Sequence, residues 1–196
     1  KMLNAGQVCI APDYVMLPEH KLDEAVAIAK DVIAKMYPSL LANEQYTAMV
    51  NERHYERMQR NLTDANERGI QTITINPANE DFSDNPTHKV PPTLIVNPDD
   101  EALCMTDEIF GPLLPLKTYT QFEDTISYIN AHPRPLAAYY FGKHDAEEHR
   151  FLTGTTSGGA CVNDVMFHML QKDLPFGGVG PSGMGAYHGI EGFKTF

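Results

Sequence analysis

The chain has 196 residues, enough for one ordinary domain or two small ones. Its 15 Lys and Arg face 26 Asp and Glu, a net charge of −11 that excludes the basic face needed by a phosphate backbone or an anionic membrane. No apolar run reaches the roughly 18 residues of a membrane helix, so neither nucleic acid nor membrane is an expected partner.

The opening K-M-L-N-A-G-Q-V-C has no signal-peptide pattern and reads as cut from within a longer chain. Residues 13–17 (D-Y-V-M-L) predict a short strand. Leu22, Ala25, Val26, Ala29, Val32, Ile33 and Met36 follow the i, i+3, i+4, i+7 spacing of an amphipathic helix, stopped by Tyr37-Pro38. A second helix carries Tyr55, Met58, Leu62 and Ala65 on one face and ends at Gly69. Residues 70–75 are β-rich. The polar stretch 76–92 predicts a surface excursion, and strand-like L-I-V follows it.

Leu113 to Tyr119 predicts a strand, placed at an edge or strand end by Pro115. Phe122, Ile126 and Ile129 mark a short helix closed by His132-Pro133, and Ala137 to Phe141 a further strand. Asp145 with Glu148 predicts a capping box and a helix to about Leu152; Gly159 to Asn163 adds the last strand. A Gly-rich loop and a short helical piece around Tyr187 to Phe193 close the chain. Alternating strands and helices predict an α/β fold with a twisted, mostly parallel open sheet flanked by helices, as one domain over 1–196.

Gly178 to Gly183 satisfies G-x-G-x-x-G, yet Leu174-Pro175-Phe176 precedes it and Pro181 sits where a helix would need a donor. A tight structural loop is the expected reading. His144 and His149 are five apart and fall on different helix faces, so no metal site is expected. Asn61-Leu62-Thr63 is a sequon without meaning in a reducing compartment. Three widely spaced cysteines, Cys9, Cys104 and Cys161, form no disulfide framework and point to a cytoplasmic chain. Cys104 and Cys161 lie in apolar runs as small hydrophobes. Cys9, between a glycine and a Pro-Asp turn, is left open between burial and reactivity.

Three ordered blocks carry a resemblance. N-A-G-Q-V-C-I-A-P-D-Y-V resembles the cysteine signature of the aldehyde dehydrogenase superfamily. M-T-D-E-I-F-G-P-L-L-P, residues 105–115, resembles its second signature. L-P-F-G-G-V-G-P-S-G-M-G-A-Y-H-G, residues 174–189, resembles its C-terminal loop. P-D-Y-V, S-G-G-A-C-V-N-D-V and G-M-G-A-Y-H-G are similar to the branch holding the class 3, fatty-aldehyde and bacterial coniferyl aldehyde enzymes.

The resemblance implies that Cys9 is the nucleophile. A thiolate adds to the aldehyde, hydride leaves to a nicotinamide, and water hydrolyses the remaining thioester. It implies that Glu108 holds the nicotinamide ribose hydroxyls and that Phe110 braces the ring, with Asp107 where the family often has a second glutamate. Asn163 matches a residue near the active site, read as orienting the cysteine loop. Met166, Phe167, His168, Met169 and Leu170 fall where the branch lines its substrate tunnel. His188 is expected at the tunnel mouth or as a cap on its loop.

The implied protein is an oxidoreductase turning a hydrophobic, coniferyl-type aldehyde into its carboxylate with NAD or NADP, as a homodimer. The cofactor-binding domain, the oxyanion asparagine, the water-activating glutamate and a C-terminal oligomerisation strand are expected outside these residues, which alone should be inactive. Two other classes stay open. A cysteine hydrolase needs a histidine on Cys9, and a binding domain needs no reactive thiol.

Overall fold

The computed structural model describes Lys1–Phe196, which divide into two compact units, Lys1–Tyr119 and Thr120–Phe196. The first holds β1 (Val15–Pro18), α1 (Leu22–Met36), α2 (Glu52–Glu67), β2 (Gln71–Thr74), β3 (Thr93–Val96), α3 (Leu103–Thr106) and β4 (Leu113–Tyr119). Its sheet runs β1-β4-β3-β2. β4 lies parallel to both β1 and β3, while β2 pairs antiparallel with β3.

Strand alternation sends side chains to two helical layers. Leu94, Leu116 and Leu17 pack with Ile33 and the Leu22–Ala29 face of α1. Ile95 and Leu113 pack with Met58 and Ala65 of α2, together with Cys104 and Ile109. The predicted α2 face is the observed one. On α1 the stripe is narrower than its spacing suggests, because Val32 and Met36 are exposed beside Ile28. Asn51 caps α2 by accepting the His54 N–H at 3.1 Å. Asn61, the sequon residue, is buried and donates to the Arg57 carbonyl.

Pro115 is not on an edge strand, since β4 has neighbours on both sides. It survives there through register. Pro115 pairs with Ile95, whereas β1 begins its pairing one residue later, Val15 with Leu116. The missing donor thus falls where β4 has only one partner strand.

The stretch 76–92 is also less superficial than its polarity suggests. Val90 and Pro92 are buried, and the Tyr46 hydroxyl donates to the Val90 carbonyl. Glu80 accepts the N–H groups of Leu40 and Leu41 at 2.6 and 3.0 Å. Lys89 donates to the carbonyls of Leu40, Leu41 and Asn43 at 3.0, 2.9 and 2.7 Å. One acid and one base therefore replace regular secondary structure in satisfying the 40–43 turn.

The second unit holds α4 (Phe122–Ala131), β5 (Ala137–Tyr140), α5 (Asp145–Gly154), β6 (Gly159–Val162), α6 (Phe167–Leu170) and α7 (Gly189–Lys194). β5 and β6 are parallel. Ile126, Tyr140 and Phe151 form its core, with Phe122, Ile129, Ala138 and Val162 against them. Asp124 accepts the Gln121 N–H at 3.1 Å and so caps α4. The capping box expected at Asp145 does not form: the cap residue is His144, and Asp145 lies inside the first turn. The G-x-G-x-x-G segment is a tight turn, with Gly180 and Gly183 at φ 64° and 131° and Ser182 bonded to both the N–H and the carbonyl of Val179. No helix in the chain is long and apolar enough to cross a membrane.

Replacing Lys89 by Met should strand three carbonyls of the 40–43 turn. The loss should be about 2–3 kcal/mol, read as a lower denaturant midpoint with an unchanged slope.

Candidate active site

The cysteine segment begins with a left-handed turn. Asn4, Ala5 and Gly6 have φ of 50°, 51° and 78°, and the Asn4 amide donates to the Gln7 carbonyl at 3.2 Å. Two non-glycine residues in this region cost free energy and persist only under strong external constraint. Gln7 supplies part of it. Buried, it donates to the Ala48 carbonyl at 3.0 Å and accepts the Val50 N–H at 2.9 Å. Ile10 is buried on the far side of Cys9, while Cys9 itself is exposed. The turn therefore has anchors on both flanks and presents its thiol outward.

The Glu108–Phe110 turn meets this segment directly. A side-chain carbon at Gly6 would lie 2.3 Å from the Gly111 carbonyl oxygen, and one at Gly111 would lie 2.2 Å from the Met58 sulfur. Backbone thus packs on backbone at Gly6, which is possible only because Gly6 has no side chain, while the bare Gly111 makes room for Met58. Asp13, after the cysteine, accepts the Ile109 N–H at 3.2 Å across 96 residues of chain. Burial raises the Asp13 pKa, against the opposing charge of Lys1 with its ammonium 3.9 Å away. Ile109 is buried, Glu108 exposed and Phe110 partly covered, with φ 45°. The Glu108 carboxylate has no hydrogen bond or ion pair within the chain, so both its oxygens are available to a diol.

Arg57 was not singled out in the sequence. Its guanidinium donates from Nη1 to the Glu108 carbonyl at 2.7 Å and from Nη2 to the Phe110 carbonyl at 3.4 Å. Burial lowers its pKa against the raising influence of Glu108, Asp107 and Asp13, which leaves it cationic at any ordinary pH. The only sequence signal was its place one residue before the buried face of α2.

The other expected residues lie in Thr120–Phe196. Asn163, at φ 57°, accepts the Gly142 N–H at 2.9 Å and donates to the Gly142 carbonyl at 3.0 Å. Both ends of its amide are thus occupied in holding the exit of β5 to that of β6. Met166 enters α6 in a left-handed conformation, φ 67°, and Met169 is partly covered. Phe167 and Leu170 are exposed. His168 turns the other way, back onto β6. Its Nδ1 lies 3.1 Å from the Cys161 sulfur, and its ring sits against Tyr139 and Phe176. It fits there because Gly159 has no side chain: a carbon would lie 2.6 Å from the imidazole. Its Nε2 is buried without a hydrogen-bond partner. His188 closes the Gly-rich loop, its Nδ1 3.0 Å from the Leu174 carbonyl and its ring against Phe176 and Tyr187. This is the capping alternative.

The three thiols differ. Cys104 is buried, which pushes its pKa up to about 11 and keeps it protonated. Cys161 is paired with His168, whose pKa burial lowers, so that imidazole stays neutral. No histidine hydrogen-bonds Cys9. The thiol–imidazole couple that a cysteine hydrolase requires is built on another cysteine.

The sequence profile of the aldehyde dehydrogenase family matches residues 1–196. This chain belongs to that family. It is 55% identical over 196 residues to a coniferyl aldehyde dehydrogenase of Pseudomonas sp. (strain HR199 / DSM 7063) and 50% identical to a probable coniferyl aldehyde dehydrogenase of Caulobacter vibrioides. Both matches cover 100% of this chain but only 41% and 40% of those relatives. Among solved structures, substrate-bound AldH of Staphylococcus aureus superposes on 100% of this chain and 41% of its own, with a TM-score of 0.89 at 32% identity. The family's α/β architecture is therefore the fold of these residues, and they span about two-fifths of the length of the relatives they match.

Gly6→Ala should destabilise the protein by about 2–3 kcal/mol, because it adds a left-handed penalty to a clash with main chain that cannot yield. Gly111→Ala should cost less, since the Met58 thioether can rotate away. Chemical denaturation of both variants checks the order.

Proposed function

We propose that the whole protein oxidises a hydrophobic aldehyde, of the aromatic coniferyl type, to its carboxylate with NAD⁺ or NADP⁺. One observation carries the reading: the exposed Cys9 thiol and the unpaired Glu108 carboxylate belong to two turns pinned together by Gly6, Gly111 and Asp13. In this reading the Cys9 thiolate attacks the aldehyde carbon and forms a thiohemiacetal, the tetrahedral state from which hydride can leave. The Cys9 backbone N–H is one donor to the oxyanion. Glu108 holds the ribose diol of the cofactor with two carboxylate oxygens, and Phe110 braces the ring. When bound, the dinucleotide supplies the two-electron acceptor that leaves a thioester on Cys9 for water to cleave.

Glu108 fits such a group, because it is accessible, its carboxylate is in no hydrogen bond or ion pair, and its main chain is held by Arg57. The family resemblance assigns Met166, His168, Met169 and Leu170 to the substrate path in this reading, while Asn163 clasps Gly142 between the neighbouring strand ends. The 196 residues form the cysteine-bearing catalytic part in this reading. The cofactor domain, oxyanion asparagine, water-activating glutamate and oligomerisation strand belong to the rest of a cytoplasmic homodimer. The 196 residues on their own are accordingly inactive.

In the full-length protein, Cys9→Ala should abolish aldehyde oxidation, followed as the appearance of reduced cofactor, while Cys104→Ala and Cys161→Ala should not. Wild-type turnover in Cys9→Ala would refute the mechanism. Glu108→Gln should weaken NAD⁺ binding about tenfold through loss of a charged acceptor. Ester hydrolysis without cofactor is the control that separates this effect from damage to the thiol site.

A further inference from the structure

The Glu108–Phe110 turn poses a mechanical problem. Its carboxylate makes no hydrogen bond or ion pair in the chain, so its position depends on the main chain beneath it. That main chain is strained, because Phe110 sits at φ 45°, a region bulky side chains avoid. Such a turn keeps one conformation only when its polar groups are fixed from outside.

We propose that Arg57 is a positioning residue of the cofactor site, fixing the turn from which Glu108 projects. The guanidinium reaches two carbonyls at once, Glu108 at 2.7 Å and Phe110 at 3.4 Å. Asp13 takes the N–H between them at 3.2 Å. One main-chain group on each of three successive residues is thereby held by a basic and an acidic side chain. Arg57 is itself located by its neighbour Met58, which is fully buried and seated against Gly111.

The choice of acceptors matters. A surface arginine beside a glutamate would ordinarily pair with the carboxylate. Here it binds the carbonyl of the same residue and makes no ion pair with the acid. The arrangement supplies rigidity and leaves the carboxylate free to accept from neutral hydroxyls. Only a planar fork meets both carbonyls; a lysine ammonium in its place can serve one.

This inference rests on Glu108 as the acceptor for the cofactor, and the test separates the two. Dissociation constants for NAD⁺ and NADP⁺ are measured by calorimetry on the full-length enzyme and on Arg57→Gln, Arg57→Lys, Glu108→Gln and the Arg57→Gln/Glu108→Gln double variant, with kcat and KM for the cofactor alongside. Arg57→Gln should raise Kd about tenfold, mirrored in KM more than in kcat, and Arg57→Lys should recover part of the loss. The double variant should bind no more than about twofold worse than Glu108→Gln alone, because both changes remove the same contact.

If Glu108→Gln is weakened while Arg57→Gln binds as wild type, the positioning role is refuted. Multiplying losses in the double variant would show that Arg57 acts by another route and would overturn the inference. Wild-type affinity in Glu108→Gln would overturn the reading on which it rests. A lowered melting midpoint in Arg57→Gln with unchanged Kd would show a purely structural residue. Should Arg57→Gln fail to fold, the Arg57→Lys cycle decides on the same criteria.

Discussion

The approach of two backbones at Gly6 and Gly111 is the constraint on which the candidate site depends. A methyl group on Gly6 would force main chain to separate, since the nearest atom is a carbonyl oxygen at 2.3 Å. Because Gly6 carries no side chain, the turn that presents Cys9 packs directly on the turn that presents Glu108, and the bare Gly111 lets Met58 pack beneath. Met58 extends this contact into the α2 layer of the core, so the site inherits its rigidity from the apolar cluster around Ile95, Ile109 and Leu113. Close packing of this kind transmits small displacements, which makes the geometry of a functional turn sensitive to the helix beneath it.

Polar groups complete what packing begins. The irregular segments of Lys1–Tyr119 are long, and a buried loop must still satisfy its main chain. Gln7 does so for the residues around 48–50, Glu80 and Lys89 for the 40–43 turn, and Arg57 and Asp13 for 108–110. In each case a side chain with several donors or acceptors takes the place of a strand or helix partner. These residues look like ordinary surface polarity until their contacts are known. In Thr120–Phe196 the same device recurs as Asn163, which clasps Gly142 from both ends of its amide.

The three cysteines occupy three different environments. Desolvation penalises the thiolate of Cys104, and the partner of Cys161 is a neutral ring with one nitrogen buried and unsatisfied. An imidazolium there would carry a buried N–H without an acceptor, which opposes charge separation in that pair. Cys9 sits exposed at the outer tip of a turn flanked by buried Gln7 and Ile10.

The sequence by itself determined the element types, because hydrophobic periodicity and Pro/Gly punctuation are local properties. The α1 and α2 spans, the strand at 113–119 and the tight turn at Gly180 follow from such patterns. The family was equally legible, since its signatures are contiguous strings around Cys9, Glu108 and Gly178. Tertiary structure alone decided the pairing. Pro115 lies in a central strand because of a one-residue register offset, and His168 faces Cys161 because Gly159 leaves it room. Arg57 joins the site because a helix one residue out of phase with its buried face aims a guanidinium at two distant carbonyls. Such contacts join residues far apart in the chain, and no local propensity encodes them.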